Sequence, residues 1–400
     1  MEMTLVERHL IKKTHPLYSY CDEVCGKSKN LYNYANYIVR QEFINNGNWI
    51  RYGDLNKQIK QHETYKKLPA QSSQQTLMLV DKNWVSFFKS IKDYTKNKDK
   101  YLGKPKLPKY KKKDGKSIMV FTNQQCNIKD SMVKFPKSKL KLKTNVSKLQ
   151  QVRIVPKSNH YVIEVIYKKE IIPLNLDISN VIGIDLGLDN FATITNNIKL
   201  QPIVINGKPI KSINQYYNKK KANLMSFIGD KGASNKIKKL TNRRNRKVDD
   251  FMHKSSRKVI DYCIKNNIGT IIIGKNKGWK QEINLGKRNN QNFTNIPYES
   301  FIKKIQYKAK LFGIEIILTE ESCTSKASFL DLDEMKKGNE FSGKRIKRGL
   351  YKTKHNILIN ADVNGSYNII RKVFLKDFNM DLKWERIDGV GLHPIKINIS

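Results

Sequence analysis

The sequence predicts a multidomain α+β protein, and three observations support this prediction. The first hundred residues carry apolar side chains at helical spacing, residues 103–169 contain short β-rich runs, and the stretch after Val181 alternates apolar strands with helices. A chain of 400 residues with 39% hydrophobic content can bury a core in more than one domain. We therefore expect a helical region, an antiparallel barrel or sheet, and an α/β domain, in this order.

Two apolar stripes predict the helices of the first region. The stripe of residues 22–43 consists of Val24, Leu31, Ala35 and Ile38. The stripe of residues 72–92 is more regular and consists of Leu77, Val80, Trp84, Phe87 and Ile91. Such stripes are typical of the buried face of a helix, so we assign them to a core and not to a cofactor site.

The second region changes to proline, lysine and β-branched residues. Its clearest strand candidates are SIMVFT (117–122), VRIVP (152–156) and HYVIEVIYKK (160–169). The segment GKPKLPKYKKKDGK (103–116) bridges the helical and β-rich regions. These short runs predict a small antiparallel barrel or sheet.

The third region has the order of an α/β domain. Its predicted elements are the strands VIGIDLG (181–187), LDNFATIT (188–195), TIII (270–273) and GIEIILTEE (313–321), and helices over 234–267, over 300–312 and from about residue 362. Strands that alternate with helices favour a sheet with parallel pairing and covered faces.

The charge of the chain is strongly positive. Lysine and arginine number 77 against 35 acidic residues, which gives a formal net charge of +42. A single basic run is explained well by a solvated surface, but these runs occur in every region, which favours a long nucleic acid as the partner. The candidate contacts are Lys109, Lys111, Lys112, Lys113, Arg243, Arg244, Arg246, Lys344, Arg345, Lys347 and Arg348.

Two sequence features predict an intracellular protein that uses neither a membrane nor disulfides. No apolar run approaches the roughly 20 residues of a membrane span. The five cysteines are an odd and scattered set, which argues against a disulfide framework. Cys21 and Cys25 lie four residues apart without a second pair of ligands, so zinc is not favoured there.

Two aspartates are the first candidates for chemistry. Asp185 ends an apolar strand, where a carboxylate must be paired, solvated or bound to metal. Asp362 opens the last helix, and a helix cap or a first-turn acid explains it equally well. On a basic protein, the two together suggest carboxylates that gather Mg²⁺ for phosphodiester hydrolysis.

Four motifs resemble a known family. They are VIGIDLGLDNFAT, GKNKGWKQEINLGKRNNQNFTNIPYESF, EESCTSKASFLD and INADVNGSYNIIRK. In this order they resemble the RNase H-like (RuvC) nuclease core of TnpB proteins, in particular the branch close to the Fanzor proteins. The resemblance implies an RNA-guided DNA endonuclease that binds a guide RNA, called ωRNA, and cuts double-stranded DNA beside a short target-adjacent motif.

The resemblance also implies a division into domains. Residues 1–20 would begin a wedge domain, 21–102 would form the helical recognition domain, and 103–180 would complete a β-barrel wedge domain. Residues 181–323 and 359–400 would form the two parts of the RuvC-like nuclease domain. Residues 324–358 would be a basic insert that binds target nucleic acid and replaces the family's zinc ribbon, since no cysteine follows Cys323.

In this family the nuclease site would contain Asp185, a middle glutamate and Asp362. The middle position, at the end of TIII, holds Gly274. Fanzor-like members carry a glutamate farther along the chain, for which the candidates here are Glu320 and Glu321. Because side chains alternate along a strand, only one of the two should face the metal, and we favour Glu321. Glu282 is a weaker third candidate.

The resemblance implies Mg²⁺, as two ions held by Asp185, Glu321 and Asp362, and no zinc. The expected partners are guide RNA and target DNA, bound by a monomer. The compartment would be the cytoplasm for a bacterial protein, and the nucleus or viral DNA for a Fanzor. Two alternatives are a nuclease-dead, RNA-guided DNA-binding protein, which Gly274 favours, and a transposase that recognises DNA by protein alone.

Overall fold

The computed structural model describes residues 2–229, 232–275, 295–374 and 392–399. The chain divides into two compact units, and the boundary between them in the sequence follows residue 170. Glu282 lies outside the described residues. None of the helices within the described ranges is long and apolar enough to cross a membrane.

The helices of the first unit are α1 (Tyr18–Asn46), α2 (Tyr52–Ile59), α3 (Glu63–Lys66) and α4 (Ala70–Lys96), followed by a 3-10 turn at Lys98–Lys100. Helix α1 ends at Gly47, whose φ of 70° is the left-handed conformation that glycine adopts without strain. The predicted stripes lie in the core, where Leu31 and Ala35 of α1 and Leu77 and Trp84 of α4 are all fully buried.

The strands of the first unit are β1 (Glu2–Ile11), β2 (Met119–Thr122), β3 (Asn127–Lys129), β4 (Met132–Lys134), β5 (Lys141–Lys143), β6 (Leu149–Pro156) and β7 (Tyr161–Glu170). They form an antiparallel sheet in the order β1-β7-β6-β2 and a three-stranded sheet in the order β3-β4-β5. Of the two predicted arrangements, barrel or sheet, the described residues of this unit form open sheets and no closed barrel.

The second unit contains β8 (Asp177–Leu186), β9 (Asn190–Asn196), β10 (Ile203–Asn206), β11 (Ile268–Gly274), β12 (Glu315–Thr319), β13 (Lys344–Lys347), β14 (Leu350–Lys352), β15 (Leu358–Asn360) and β16 (Ile395–Ile397). Its helices are α5 (Lys208–Ser226), α6 (Asn235–Lys265), α7 (Tyr298–Phe312) and α8 (Ala361–Phe374). Helix α6 starts where the hydroxyl of Ser234 accepts a hydrogen bond from the N–H of Ile237, as an N-cap does.

The main sheet of the second unit has six strands in the order β12-β11-β8-β9-β10-β16. Strands β8, β9 and β10 pair antiparallel, whereas β11 runs parallel to both β8 and β12. The predicted parallel pairing is therefore present, and the three strands β8, β11 and β12 end at the same edge of the sheet.

Helices cover both faces of this sheet. Because neighbouring side chains of a strand point to opposite faces, β8 contributes to two separate cores. Ile182 and Ile184 of β8 join the core that includes residues of α6 and α7, whereas Val181 joins the core that includes residues of α8. Helix α8 lies very close to β8 at Gly183, where an added Cβ would come within 2.5 Å of the carbonyl oxygen of Ser366. This close packing fixes the beginning of α8 against the end of β8.

Candidate functional site

The candidate site lies where the parallel strands end. Ile273 of β11 pairs with Ile184 of β8, so the next residues, Gly274 and Asp185, lie side by side at the strand ends. Strand β12 ends at Thr319, which pairs with Gly274, and the two candidate glutamates follow directly. The topology thus brings the predicted first acid and the predicted relocated acids to one edge of the sheet.

Glu321 fills the space that a side chain at position 274 would occupy. A Cβ added to Gly274 would lie 2.5 Å from both Cγ and Oε1 of Glu321, and 2.7 Å from Cδ1 of Ile369. Real Cβ atoms do not approach other atoms so closely, since carbon atoms in contact are about 3.5–4.0 Å apart. The observed position of the Glu321 side chain therefore requires glycine at position 274. Glu320 is exposed.

Asp362 lies in the first turn of α8, but it is not the helix cap. The side-chain oxygen of Asn360 accepts hydrogen bonds from the N–H groups of Asp362 (3.0 Å) and Val363 (3.2 Å) and so supplies the cap. The carboxylate of Asp362 instead accepts hydrogen bonds from Nδ2 of Asn190 (2.7 Å) and Nη2 of Arg345 (3.1 Å). Capping, one of the alternatives considered for this residue, does not account for its carboxylate.

The electrostatics of the site reflect crowded carboxylates. Burial raises the pKa of Asp185 well above its ordinary value, and the nearby charges of Glu321 and Asp362 raise it further, against the opposing charge of Arg345. Burial raises the pKa of Glu321 to about 7, although the Lys372 ammonium opposes the shift. Negative charge is costly here without a cation, which is the property expected of a metal-binding site.

Gly365 lets α8 approach the first acid. A Cβ added to Gly365 would lie 3.2 Å from Oδ2 of Asp185, tighter than an ordinary van der Waals contact. The helix is also tied to the sheet by Ser366, whose hydroxyl donates to the carbonyl oxygen of Gly183 at 2.9 Å. Small residues in the motif INADVNGSYN thus fix Asp185 against the helix that carries Asp362.

Two residues that the sequence analysis missed also lie at this site. Asn190 holds the carboxylate of Asp362, as described above. Tyr298 donates its hydroxyl to the carbonyl oxygen of Gly187 at 2.8 Å, and burial together with the charges of Asp185 and Glu321 raises its pKa. Both residues lie inside motifs quoted above, Asn190 in VIGIDLGLDNFAT and Tyr298 in the motif that ends in NIPYESF, but neither was assigned a role there.

The carboxylates of this site are suitable ligands for Mg²⁺, because this ion prefers carboxylate oxygens. Among the described residues, however, no three His, Cys, Asp or Glu side chains are already gathered as a metal-binding cluster. The carboxylate of Asp362 accepts hydrogen bonds from Asn190 and Arg345. Asp185, Glu321 and Asp362 would hold a cation after Asp362 exchanges these partners for the metal.

The predicted basic residues of the first unit are presented on a segment whose backbone is anchored to α1. Asn33 donates to the carbonyl oxygen of Lys111 at 2.9 Å and accepts from its N–H at 2.8 Å. Lys29 donates to the carbonyl oxygen of Lys113 at 2.9 Å. The four predicted side chains, Lys109, Lys111, Lys112 and Lys113, are exposed. Anchoring of the backbone leaves these lysines facing solvent.

The three predicted arginines of α6 differ in their surroundings. Arg243 and Arg246 are exposed. Arg244 is half-buried and donates to Oδ1 of Asn214 at 2.8 Å and to the carbonyl oxygen of Asn295 at 2.6 Å. Its contact with phosphate stays a prediction, but its guanidinium already has protein partners.

The basic insert is held together by two partly exposed aspartates, Asp331 and Asp333. Its strands β13, β14 and β15 form a three-stranded antiparallel sheet. Asp331 accepts from the hydroxyl of Ser328 (2.5 Å) and the N–H of Lys354 (2.9 Å), and Asp333 accepts from the N–H of Ser328 (2.7 Å) and the hydroxyl of Ser342 (2.5 Å). These hydrogen bonds join the two sides of the insert.

The four predicted basic side chains of the insert differ in whether they form an ion pair. Lys344 and Lys347 are exposed. Arg345 forms an ion pair with Asp362 at 3.1 Å, and Arg348 forms one with Asp189 at 3.0 Å. The strands β13 and β14 and the turn between them therefore contact the candidate site through their arginines.

Comparison with known proteins gives two family matches. Residues 164–280 match the model described as OrfB_IS605, probable transposase, and residues 298–369 match the model described as Cas12f1-like, TNB domain. No curated protein matches the chain in sequence.

Solved structures with similarity to the chain include three RNA-guided systems. A Cas12f1–sgRNA–target DNA complex is 16% identical (TM-score 0.36, covering 91% of this chain and 98% of that chain). A CRISPR-Cas12f ternary complex is 15% identical (0.38, 88% and 80%), and the mini-RNA-guided endonuclease CRISPR-Cas_phi3 is 10% identical (0.45, 92% and 92%). These TM-scores are too low to support an argument, so the conclusion rests on the family models. Their matches confirm the resemblance of residues 164–280 and 298–369 to the TnpB- and Cas12f-type RNA-guided nucleases.

Proposed function

We propose that the protein is an RNA-guided, Mg²⁺-dependent DNA endonuclease of the TnpB/Fanzor type. In this proposal it binds an ωRNA and cleaves double-stranded DNA next to a short target-adjacent motif. Sequence would be read by pairing between the guide and the target strand, with the protein reading only the short motif.

One observation carries the nuclease part of the proposal: Glu321 occupies the side-chain space of Gly274, next to Asp185. If the chain had merely lost its middle acid, nothing would require another carboxylate to enter that space. A partly buried glutamate whose pKa is raised is costly to ionise, so its presence beside Asp185, whose pKa is raised as well, is best explained by a shared cation.

The topology of the sheet supports the same proposal. Along the chain, the antiparallel strands β8, β9 and β10 are followed by β11 and β12, which run parallel to β8. Their spatial order in the sheet is β12-β11-β8-β9-β10. This order is the one expected of an RNase H-like nuclease domain, in which acids at the strand ends and on a following helix meet at one edge. Asp185, Glu321 and Asp362 have such positions.

In the proposed mechanism Asp185, Glu321 and Asp362 hold Mg²⁺. The metal would activate a water molecule and neutralise the leaving oxygen of the scissile phosphate. Asp185 is fixed by the packing of α8 against β8, so that its carboxylate keeps its position. Asn190 orients Asp362, and Arg345 is close enough to Asp362 to meet a phosphate that reaches the site.

The nucleic-acid part of the proposal rests on charge. The net charge of +42 is spread over both units, as on the anchored segment of residues 109–113 and in the insert. A structured RNA that neutralises many of these side chains would bind with a strong dependence on salt.

The decisive test is cleavage of a plasmid library by the purified protein–RNA complex, with Mg²⁺ and with EDTA. The proposal expects cuts next to a fixed short motif, at sites that move when the guide segment changes, and only with Mg²⁺. Efficient cutting by protein free of RNA would refute the RNA-guided part.

The second candidate is a nuclease-dead, RNA-guided DNA-binding protein. The absence of a gathered metal cluster among the described residues and the glycine at 274 both favour it. The same library distinguishes the two, because this alternative predicts guide-dependent binding, measured by footprinting, without cleavage at any Mg²⁺ concentration.

A further inference from the structure

We propose that a pocket between α5 and α6 binds an unpaired nucleotide of the bound nucleic acid, with the base on Tyr216 and the phosphate on Arg243 and Lys247. The inference rests on the proposed function in so far as nucleic acid is the partner. The pocket has a volume of about 260 Å³. It is lined from α5 by Ser212, Ile213, Tyr216 and Tyr217, and from α6 by Leu240, Arg243, Arg244 and Lys247.

The size of the pocket suits one base. Pockets for drug-sized ligands begin at roughly 300 Å³, so this one holds a single flat ring system and not a stretch of duplex. Ile213 and Leu240 give it an apolar lining, and Tyr216 is 57% exposed at its opening. An exposed aromatic ring beside an apolar cavity is the kind of surface on which nucleobases stack.

The opposite side of the pocket is held rigid by Arg244. Its guanidinium lies over the ring of Tyr217, 5.6 Å from the ring centre, and is fixed by Asn214 and Asn295. The hydroxyl of Tyr217 lies 3.0 Å from the hydroxyl of Thr241 on α6. Tyr217 and Arg244 are thus parts of the pocket wall, and both are already ordered before a ligand binds.

The charge of the pocket selects a phosphate. Arg243 and Lys247 are exposed lining residues one helical turn apart on α6, and neither forms an ion pair within the described part of the chain. Among the residues that the structure describes, no acidic side chain lines the pocket. Two free cations beside a stacking surface match a nucleotide, which combines a flat base with a negative phosphate.

A series of ion pairs connects the pocket to the candidate nuclease site. Lys211, which precedes the lining residue Ser212, pairs with Asp189 at 2.7 Å. Asp189 also pairs with Arg348 at 3.0 Å, and Arg345 on the same strand pair contacts Asp362. A nucleic-acid strand at the carboxylates would reach the pocket along these basic side chains by exchanging their aspartate partners for its own phosphates. The pocket would hold one of its nucleotides out of the stack.

The test uses the full-length protein and four single variants. Tyr216→Ala and Arg243→Gln alter the pocket. Phe227→Ala removes another exposed aromatic ring just after α5, and Lys258→Gln removes an equal charge elsewhere on α6. All four side chains are exposed, so folding should be intact, and this is checked by thermal denaturation. The probes are an oligouridine RNA and an oligothymidine DNA of equal length, with and without 2-aminopurine.

Tyr216→Ala should weaken binding by about 5- to 100-fold, which is the usual effect of losing one stacked base, without changing the salt dependence. It should also abolish the quenching of 2-aminopurine fluorescence. Arg243→Gln should make the plot of log affinity against log salt concentration less steep, by about 0.7 in slope, because one phosphate contact is lost. Both control variants should bind as wild type, apart from any general charge effect of Lys258→Gln. The RNA and DNA probes show which strand supplies the nucleotide.

Two results would overturn the inference, and they are distinguishable. If wild type binds the probes and cuts guided DNA, but the pocket variants behave like their controls, the pocket is refuted and the proposed function stands. If wild type binds neither probe, the pocket is refuted as well, whereas the proposed function fails only if guided cleavage of the plasmid library also fails.

Discussion

Replacing Gly274 by alanine should damage both the stability and the activity of the second unit. The added Cβ would come within 2.5 Å of Cγ and Oε1 of Glu321 and 2.7 Å of Cδ1 of Ile369, about 1 Å short of ordinary contact. Overpacking of this kind costs about 1–3 kcal/mol. For a unit of this size, the cost corresponds to a fall in Tm of about 2–12 °C.

Catalysis should fall more than stability because Glu321 must move. A displacement of about 1 Å at a metal-binding group costs on the order of 100-fold in rate. The measurements are thermal denaturation and single-turnover cleavage of a guided target. Gly349→Ala is the matched control, since a Cβ at Gly349 has no neighbour within 4 Å.

A pair of double variants separates crowding from general damage. In Glu321→Ala only the close contact with Cδ1 of Ile369 remains, so adding Gly274→Ala should cost less stability than it costs in wild type, and the two changes should be non-additive. The exchange variant Gly274→Glu with Glu321→Gly returns the acid to β11 and should regain part of the cleavage lost in Glu321→Gly. If Gly274→Ala matches wild type in both Tm and rate, the arrangement of Glu321 described above is wrong.

The remaining predictions concern the acids, pH and zinc. Glu321→Ala should abolish cleavage and spare RNA binding, and Asp185→Ala and Asp362→Ala should do the same. Glu320→Ala should cleave within a few-fold of the wild-type rate. Equal loss of cleavage in both glutamate variants would contradict this assignment. Because burial raises the pKa of Glu321 from its ordinary value of 4.5 to about 7, the contribution of this group to stability is present below pH 4.5 and is lost as the pH rises through 7. Mg²⁺ should therefore raise Tm more at pH 8 than at pH 6 in wild type, and this difference should be smaller in Glu321→Gln. A zinc chelator should change neither Tm nor cleavage, and stoichiometric zinc in the purified protein would refute the expectation that the insert folds without it.

The sequence predicted the strands that form the candidate site because these strands are buried on both faces. Runs such as VIGIDLG and TIII are continuously apolar, and they correspond to β8 and β11. Strand β1 was missed because one of its faces is solvated, so charged residues interrupt its pattern. Helix α5 was missed because only two of its side chains, Ile210 and Asn214, are buried.

Details of the site depend on distant contacts that spacing does not reveal. Alternation predicted that one of two glutamates faces the metals, but only the fold shows that Glu321 enters the space at Gly274. Likewise, three arginines within four residues of α6 look alike in sequence. Each successive residue turns about 100° around the helix, so Arg244 meets Asn214 while its neighbours stay exposed.

The pairing of β1 with β7 has a consequence for synthesis on the ribosome. Ile11 pairs with Tyr161 and Glu2 with Glu170, so the partner of β1 is made about 150 residues later. At about 5–20 residues per second, β1 waits roughly ten seconds or more with both of its edges open. Its charged residues, among them Glu7 and Arg8, discourage pairing with another nascent chain during this time. The sheet of the first unit is therefore completed last, after its helices have emerged.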